Sequence, residues 1–430
     1  MTITEGAKLI ATLAQGVGIG DITLLKATTH TGDFADEDVS HQEEGVEIPE
    51  NNMYKFEKKE GEFGVFTIKK KASAQEIAEQ ASGQHWVGVA AGAWVDGPAF
   101  DEKLPAHDVA DKLAALAQND AFGLVRAIKT LAPTETPVVE TNSTEITSRL
   151  FRTVDGYLRG ELDPMGFASG DDLDGVRIWG KAYVGESKIG DHGKIAGFNA
   201  DSHGFILGWE KKLNRCMKVG AGLQFDSTDI SAYGRGIDTD TLTGFVYSDY
   251  KPSDWFIDWV LAYGGSNYDE KKYALGSRYK AEYDVHTASV AMMTGYQFKY
   301  FTPEFGFRYY HIKQNAYQDT ANQQVGDEMF DILRGVAGIR FAKDFGIFYP
   351  DVYFGLTYDL INDKDNAAVT LANGTGYVVP GKRLYRLGYE ATTSINAYIT
   401  DHISASISYM GAYRKDYQEH TGMLSLKYSF

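Results

Sequence analysis

Apolar and polar residues alternate with a period of two from residue 176 to residue 430, and this alternation predicts twelve β-strands. In the segment WFIDWVLAY, Trp255, Trp259 and Tyr263 fall on one face of such a strand, and Asp258 falls on the other. One face is rich in large apolar side chains, whereas the opposite face carries small or polar ones. Soluble sandwiches and membrane barrels both alternate in this way, so the strands alone leave the two folds open.

The lengths of the connections between these strands favour a membrane barrel. Short connections are predicted near Leu213, at residues 251–253 and 301–302, within KDFGIFY and at residues 400–401. Long loops are predicted at residues 186–202, 227–239, 267–283, 313–327 and 361–383. Short turns at one rim and long loops at the other are typical of outer-membrane barrels with an even number of strands. The predicted fold is therefore an all-β membrane protein, a twelve-stranded antiparallel transmembrane β-barrel over residues 176–430.

Upstream of the barrel, apolar residues recur at helical spacing. Residues 73–136 contain QEIAEQ, HDVADKLAALAQ and AFGLVRAIKTLA, which predict two or three short helices, one of them capped near Asp108. We interpret this stretch as a helical junction region. Residues 1–72 contain short β-like runs broken by glycine and charged turns, and we interpret them as the end of a larger β structure.

A longer helix is predicted over residues 137–163, because Ile146, Leu150 and Val154 recur at intervals of four among charged residues. A helix of about 24 residues spans about 36 Å, which is enough to cross the hydrocarbon core of a bilayer. Its polar residues could not face lipid, so we expect this helix to lie in water or in a wet pore. Residues 164–175, which are rich in Gly and Asp, are the predicted linker to the barrel.

Composition narrows the possible functions. Among 430 residues, 59 acidic side chains outnumber 42 basic ones and give a net charge of −17, which argues against nucleic acid as a partner. One Cys and ten Pro exclude a disulfide scaffold and a proline-rich linker. Residues 1–20 lack the basic region and cleavage site of a secretory signal, so we expect either a cytosolic chain or a fragment.

Three stretches of the barrel region resemble a known family. They are DGVRIWGKAYVGESKI with its Trp179-Gly180 pair, HGFILGWEKKLN ahead of KVGAGLQF, and the terminal YSF. Together they resemble the translocator β-domain of autotransporters, the type V secretion proteins of Gram-negative bacteria. MYKFEKKEGEFGVFTIKK is similar to the last strands of the exported passenger of such proteins. Residues 108–160 resemble the segment that joins passenger to barrel.

The resemblance implies a barrel that is closed around a pore-spanning α-helix and that anchors and exports an N-terminal passenger at the cell surface. Residues 9–71 would then be the C-terminal end of a right-handed β-solenoid. The implied partners are outer-membrane lipid, periplasmic chaperones and the barrel-assembly machinery, which would recognise Leu426, Tyr428 and Phe430 on the last strand. The implied protein is a monomer without a cofactor and is not an enzyme. Adhesion, as in virulence-associated passengers, is the default passenger activity. Because the family carries a signal and a long passenger, we expect this chain to be a truncated product or a fragment.

Some members of the family cleave themselves at an Asn-Asn pair in the pore helix. This helix has only Asn142 followed by Ser143, so Asn142 is a candidate for self-cleavage with help from a barrel carboxylate such as Asp258. The alternative is a solvated Asn near the start of a helix, where Asn is favoured, and we prefer that interpretation.

The charges of the pore helix need partners inside a confined lumen. We expect Arg149, Arg152 and Arg159 to pair with inward carboxylates of the barrel. The candidates for this pairing are Glu210, Asp258 and Asp359.

Two other functions remain open from the residues. An outer-membrane hydrolase could use His286 near Asp284, or His311 near a strand end, but no nucleophile and base can be placed together from the sequence. A diffusion porin is disfavoured because a helix would fill a barrel of twelve strands. No metal site is predicted: Cys216 is isolated, and the acidic segments at residues 238–241 and 362–366 are interpreted as solvated outer loops.

Overall fold

The computed structural model describes residues 20–23, 51–58, 65–161, 176–191, 195–343, 345, 348–363, 366–400 and 402–429. Three short strands come first: β1 (Gly20–Thr23), β2 (Tyr54–Lys58) and β3 (Val65–Lys70). The helices follow: α1 (Ala74–Ser82), α2 (His85–Ala91) with a π-helical turn at Gly92–Asp96, α3 (Pro105–Asn119), α4 (Ala121–Leu131), and α5 (Val138–Gly156), which ends in a π-helical turn at Tyr157–Glu161.

Strands fill the rest of the described chain. They are β4 (Val176–Ile189), β5 (Phe198–Asn214), β6 (Met217–Ala232), β7 (Arg235–Tyr250), β8 (Trp255–Ala274), β9 (Ser277–Tyr296), β10 (Thr302–Gln314), β11 (Tyr317–Gln318), β12 (Gln323–Val325), β13 (Glu328–Ala342), β14 (Phe348–Asn362), β15 (Asn366–Leu371), β16 (Gly376–Pro380), β17 (Leu387–Tyr398), β18 (Ile403–Arg414) and β19 (Tyr417–Ser429).

Twelve of these strands form one closed antiparallel barrel, which confirms the predicted fold. Neighbours along the chain pair from β4 to β10, then β10 pairs with β13, β13 with β14, and β14 with β17. The last strand, β19, closes the barrel on β4, with Tyr417 opposite Ile189 and Ser429 opposite Arg177. Closure pairs the backbone groups of every strand and removes the sheet edge, as a bilayer requires. No helix among the described residues combines the length and the apolar character needed to cross a membrane.

The alternation along each strand separates a lipid-facing surface from a polar lumen. On β8, Trp255, Trp259 and Tyr263 are exposed on the outside, whereas Phe256 and Asp258 are buried on the inside. The same division runs around the barrel. Outward aromatics near each rim lie where the interfacial girdles of such barrels form.

Two of the predicted long loops are wrong, because the strands continue through them. Residues 227–239 and 267–283 contain only two-residue turns, at Tyr233 and Gly234 and at Leu275 and Gly276, and the two glycines have positive φ angles of 67° and 72°. Such turns favour glycine because they need the left-handed backbone conformation. Strands β8 and β9 have 20 residues each, about twice the 9–11 that span a bilayer. The barrel wall therefore rises above the membrane on this side.

A row of carboxylates marks where the wall leaves the hydrocarbon core. Six outward residues lie directly opposite one another across β4 to β9: Glu186, Asp201, Asp229, Asp238, Asp269 and Glu282. Like charges in this arrangement destabilise a sheet, and they could not lie in lipid. The segment 238–241, predicted to be a solvated loop, is part of strand β7.

The region before the barrel differs from the prediction in three ways. Strands β1, β3 and β2 pair antiparallel, with Gly20 opposite Ile68 and Tyr54 opposite Lys70, so the described strands do not form the parallel coils of a solenoid. The rest of residues 1–72 lies outside the described residues. Four helices replace the predicted two or three. Leu104 occupies the N-cap position of helix α3 without a side-chain capping hydrogen bond, and Asp108 lies in the first turn rather than at the cap.

Helices α1 to α4 share a hydrophobic core with strands that the sequence assigned to loops. Strands β11, β12, β15 and β16 form a four-stranded sheet outside the barrel, built from residues 317–325 and 366–380. The fully buried Trp94 of the helical region and Val379 of the sheet belong to one core, which also includes Ala274 and Tyr279 from the β8–β9 hairpin. We call these four helices and this sheet the outer cap. The outer cap lies over the long-loop end of the barrel.

Candidate functional site

Helix α5 runs through the lumen of the barrel, and every residue from Val138 to Gly156 is buried. Near its start, Asn142 Nδ2 donates to Tyr268 Oη at 3.0 Å and lies 3.3 Å from Thr239 Oγ1. Just after its end, Arg159 contacts Asp249 and Asp258, which lie beside the short turn between β7 and β8. The helix therefore starts at the long-loop end and ends at the short-turn end, which in outer-membrane barrels are the extracellular and periplasmic ends, respectively.

Glycines on the inner wall make room for the aromatic residues around the lower part of the helix. Trp179 stacks on Tyr157 with 4.8 Å between ring centroids and donates from Nε1 to Tyr247 Oη at 2.8 Å. A Cβ on Gly208 would overlap the ring of Trp179, and a Cβ on Gly220 would overlap the ring of Tyr247. This packing gives a physical reason for Gly208 in HGFILGWEKKLN, for Gly220 in KVGAGLQF and for the tryptophan of DGVRIWGKAYVGESKI.

Arg149 is the most enclosed charge of the helix. Its Nη1 lies 2.8 Å from Asp226 Oδ2, and its Nη2 lies 2.8 Å from Glu145 Oε1 and 3.6 Å from Glu419 Oε1. The guanidinium also lies over the ring of Tyr183, 4.7 Å from its centroid. One buried cation therefore holds a carboxylate of its own helix against carboxylates on β6 and β19.

Arg152 and Arg159 continue this line of charges toward the periplasm. Arg152 Nη2 lies 2.9 Å from Glu419 Oε2, and its Nη1 donates to the carbonyl oxygen of Gly411 at 3.2 Å. Arg159 Nη2 lies 2.5 Å from Asp249 Oδ1 and 2.7 Å from Asp258 Oδ1. Of the three carboxylates expected to face the helix arginines, Asp258 does so.

Glu210 and Asp359 have other partners in the described part of the chain. Asp359 pairs with Arg334 at 2.7 Å and with Arg414 at 2.5 Å, both from the barrel wall. Glu210 lies 3.6 Å from Arg177 on the neighbouring strand β4. Both face inward as predicted, but wall arginines are nearer to them than the helix arginines are, so their assignment to the helix is corrected.

The helix also carries a buried carboxylate, Asp155, whose partner was not predicted from the sequence. Asp155 accepts from Arg340 Nη2 at 2.5 Å, and Arg340 also binds Glu304 at 2.7 Å and Asp351 at 2.8 Å. Arg340 falls on the inward face of β13 by the same alternation that located Asp258. The feature of the sequence that could have identified this pair is therefore an arginine on the inward face of a barrel strand.

The lumen is not completely filled by the helix. A cavity of about 40 Å³ lies between α5 and strands β13, β14, β17, β18 and β19. Its lining includes Glu140, Arg334, Arg414 and Glu390, and Glu140 Oε2 has no protein hydrogen-bond partner among the described residues. A gap with this lining is suited to water.

Asn142 lies far from the carboxylate suggested to assist its cleavage. Asp258 binds Arg159, and Arg159 lies 17 helical positions after Asn142, a distance of about 25 Å along the helix. The described partners of the Asn142 side chain are the hydroxyls of Thr239 and Tyr268. This geometry does not supply the proposed assistance by Asp258.

The terminal strand places the predicted recognition residues on the lipid-facing surface. Leu426 and Tyr428 point outward from β19, with 62% and 43% of their surface exposed. Phe430 lies outside the described residues. Whether the assembly machinery reads these side chains stays a prediction.

The two histidines considered for hydrolysis lie on the outer surface of the barrel. His286 stacks on Tyr263 with 6.2 Å between ring centroids, and His311 Nδ1 lies 2.9 Å from Asp331 Oδ1. Neither belongs to the lumen cavity. Within the described ranges, no group of three His, Cys, Asp or Glu side chains has the geometry to hold a metal ion.

Buried cations of the barrel hold the C-terminal carbonyls of α4, the last helix of the outer cap. Arg235 Nη2 donates to the carbonyl oxygens of Lys129, Thr130 and Ala132 at 2.8–3.1 Å, while its Nη1 lies 2.6 Å from Glu270. A helix ends with unsatisfied carbonyls that carry partial negative charge, so cations stabilise this end.

Lys272, on the neighbouring strand β8, also binds the C-terminal end of α4. Its Nζ is fully buried, donates to the carbonyl oxygen of Leu131 at 3.0 Å and lies 3.2 Å from Asp319. Gln323 Nε2 donates to the same carbonyl at 2.9 Å. The cap is therefore joined to the barrel by a polar network as well as by an apolar core.

Glu135 joins the linker before α5 to the outer cap. Its Oε1 accepts hydrogen bonds from Gln84 Nε2 at 2.9 Å and from Trp86 Nε1 at 3.0 Å, and its Oε2 lies 3.8 Å from Lys129 Nζ. Burial raises the pKa of the Glu135 carboxyl above its ordinary value, although Lys129 and the two hydrogen bonds act in the opposite direction. The Glu135 carboxyl therefore holds its proton more tightly when the cap is docked than when it is free.

The stability of cap docking is expected to depend on pH through Glu135. Because the pKa is raised on docking, this residue's contribution is fully present below its ordinary pKa and is lost as pH rises through the raised value. We expect docking to weaken as pH rises from the ordinary pKa of a glutamate through the raised value, and Glu135→Gln to remove that dependence. Hydrogen exchange of the α4 amides, corrected for the intrinsic rate at each pH, measures it. Glu102→Gln on the exposed cap surface is the control, and equal pH dependence in Glu135→Gln and the native chain would contradict the prediction.

Comparisons with known proteins agree with this architecture. Residues 178–428 match the family model described as Autotransporter beta-domain. Outer membrane protein B of Rickettsia japonica is 25% identical over 309 residues, covering 62% of this chain and 18% of that protein. Outer membrane protein B of Rickettsia prowazekii is 23% identical over 360 residues, covering 74% of this chain and 22% of that protein. The chain thus spans about a fifth of the length of these curated relatives.

A solved structure has the same fold. The translocator domain of the autotransporter NalP from Neisseria meningitidis aligns with a TM-score of 0.56 and 15% identity, covering 68% of this chain and 97% of that one. The matching family is one of translocators rather than a catalytic family. The chain therefore belongs to the autotransporter β-domain family, and its barrel is an outer-membrane translocator of Gram-negative bacteria.

Proposed function

We propose that the barrel exports the residues that precede helix α5 and holds the outer cap at the cell surface. The direction of the buried helix carries this proposal. Asn142 lies toward the extracellular end, and Arg159 pairs with Asp249 and Asp258 at the periplasmic end. A chain threaded in this way has residues 65–137 outside and returns to the periplasm before β4 begins.

In this proposal the helix is the last exported segment and remains as the seal of the pore. Its arginines and Asp155 pair with opposite charges of the lumen wall, for example Arg149 with Asp226 and Asp155 with Arg340. A diffusion porin would need an open lumen, which these pairs oppose. We further propose that the chain is a monomer and is not an enzyme. The positions of the two histidines considered for hydrolysis support the second of these proposals, because both side chains face outward and lie apart from the lumen cavity.

The single native cysteine makes the proposed orientation testable. Cys216 is partly exposed in the short turn between β5 and β6, at the periplasmic end. A membrane-impermeant maleimide should not label Cys216 in intact cells and should label it after the outer membrane is permeabilised. In a Cys216→Ser background, Glu102→Cys on the exposed surface of the cap should be labelled in intact cells.

Two results would contradict the proposal in different ways. Labelling of Cys216 in intact cells would mean that the barrel is inserted in the opposite direction. Protection of Glu102→Cys in intact cells, with Cys216 behaving as expected, would mean that the barrel inserts correctly but does not export the cap.

A further inference from the structure

Two neighbouring periplasmic turns carry an exposed group of aromatic and lysine side chains. The turn between β9 and β10 contributes Phe298, Lys299, Tyr300 and Phe301, and the turn between β13 and β14 contributes Lys343 and Phe345. We call these six residues the aromatic–lysine patch. Tyr300 has 73% of its surface exposed and Phe345 has 63%. The turns are adjacent because β10 pairs with β13, with Thr302 opposite Arg340.

The side chains of the patch are arranged against one another. The rings of Phe298 and Phe301 stack with 5.1 Å between centroids. Lys299 Nζ lies 5.3 Å from the centroid of Tyr300, and Lys343 Nζ lies 4.8 Å from the centroid of Phe345. Each turn therefore presents an ammonium group on an aromatic face.

Three other short turns of the periplasmic rim are described; two of them are polar, and the third, between β17 and β18, exposes the single apolar residue Ile399. The turn between β5 and β6 has Arg215 and Cys216, and the turn between β7 and β8 has Pro252 and Ser253. An exposed group of aromatic rings is unfavourable in water and marks a surface that something covers. The patch thus differs from its neighbours in a way that the barrel fold does not require.

The position of the patch indicates what covers it. Tyr296 lies opposite Trp255 at the lower edge of the lipid-facing surface, and Phe298 follows two residues later, with 4.7 Å between the Tyr296 and Phe298 rings. The patch is therefore continuous with the surface that already faces the membrane. Aromatic rings that carry a polar group, together with lysines, suit the headgroup region of a bilayer.

The charge of the patch selects among headgroups. Lys299 and Lys343 lie within the turns, and Asp254 of the turn between β7 and β8 accepts a hydrogen bond from Tyr296 Oη at 3.4 Å. The chain as a whole has a net charge of −17, so the two lysines form a local positive site. Such a site is complementary to an anionic headgroup, whose phosphate is not neutralised by an amine of the same headgroup. We propose that the aromatic–lysine patch binds the headgroups of anionic phospholipids in the inner leaflet of the outer membrane.

Lipid binding to the purified full chain tests this proposal. The chain is placed in mixed micelles with phosphatidylglycerol or with phosphatidylcholine, and bound lipid is counted by native mass spectrometry. We expect the Lys299→Gln/Lys343→Gln variant to retain at least threefold less phosphatidylglycerol than the native chain, with no change for phosphatidylcholine. Lys188→Gln/Lys280→Gln, which removes two exposed lysines on the extracellular side, is the matched control and should bind as the native chain does.

Three outcomes would overturn the proposal. Equal phosphatidylglycerol binding by the patch variant and the native chain would remove the patch as the site. Displacement of the lipid by inorganic phosphate at equal concentration would identify a site for free phosphate. Unchanged lipid binding combined with poor insertion of the variant in cells would identify a periplasmic protein as the partner. A heat-dependent mobility shift in electrophoresis confirms that each variant is a folded barrel.

Discussion

Replacing Arg149 by methionine is expected to lower the free energy of unfolding of the barrel by about 3–5 kcal/mol. Asp226, Glu145 and Glu419 all face this one guanidinium, and its side chain has no exposed surface. The variant would leave them with Arg152, which reaches Glu419 only. Removing one partner of a buried ionic group leaves uncompensated charge, which costs more than the group itself contributes.

Urea unfolding in micelles, followed by the loss of the heat-dependent mobility shift, measures this change. Arg215→Met in the exposed periplasmic turn is the matched control and should change stability by less than about 0.5 kcal/mol. Adding Asp226→Asn and Glu145→Gln to Arg149→Met should restore part of the loss, because the repelling carboxylates are then neutral. If Arg149→Met is as stable as the control, the helix is held by its apolar contacts and not by its charges.

The number and the inward and outward faces of the barrel strands could be predicted from the sequence, whereas the pairing of charged side chains inside the lumen could not. Alternation assigns Asp226, Glu210 and Asp359 equally to the inner face, because it fixes the face of a residue and nothing else. Which carboxylate meets Arg149 depends on its height along the pore and on the strand that the helix faces. Both follow from the stagger of the closed sheet, which the sequence pattern does not contain.

The outer cap was missed for a related reason. Residues 313–327 and 361–383 were assigned to loops because strands β11, β12, β15 and β16 have only two to six residues, too few for a clear period. These strands are stabilised by the helices that pack on them, through residues such as Trp94 and Val379. The helices were predictable from their own spacing, but their docking on the barrel was not.

The two long loops that were wrongly predicted, at residues 227–239 and 267–283, have a related explanation. Tyr233 with Gly234 and Leu275 with Gly276 are compact turns inside stretches that were predicted to be long loops and that carry many charges. The charges lie on the outward face of strands that have left the membrane. In that position an acidic residue such as Asp238 indicates water rather than a loop.

Replacing Arg235 and Lys272 together by methionine is expected to release the outer cap from the barrel. Arg235 binds carbonyl oxygens at the end of α4, and Lys272 binds the carbonyl oxygen of Leu131. Without them Glu270 and Asp319 are buried with no cation described beside them, a loss of about 3–5 kcal/mol. Since local docking is weaker than global unfolding, the cap should open while the barrel stays closed.

Digestion of intact cells with an added protease distinguishes release from retention. In the double variant we expect cleavage within residues 133–137 to be at least tenfold faster than in the native chain, with the mobility shift of the barrel unchanged. Lys271→Met is the control, because Lys271 lies next to Lys272 but pairs on the outer surface with Asp238 at 2.5 Å. Slow cleavage in the double variant would mean that the apolar core around Trp94 is sufficient to hold the cap. The buried cations would then serve to position the end of α4, and the seal over the lumen would depend on hydrophobic contact alone.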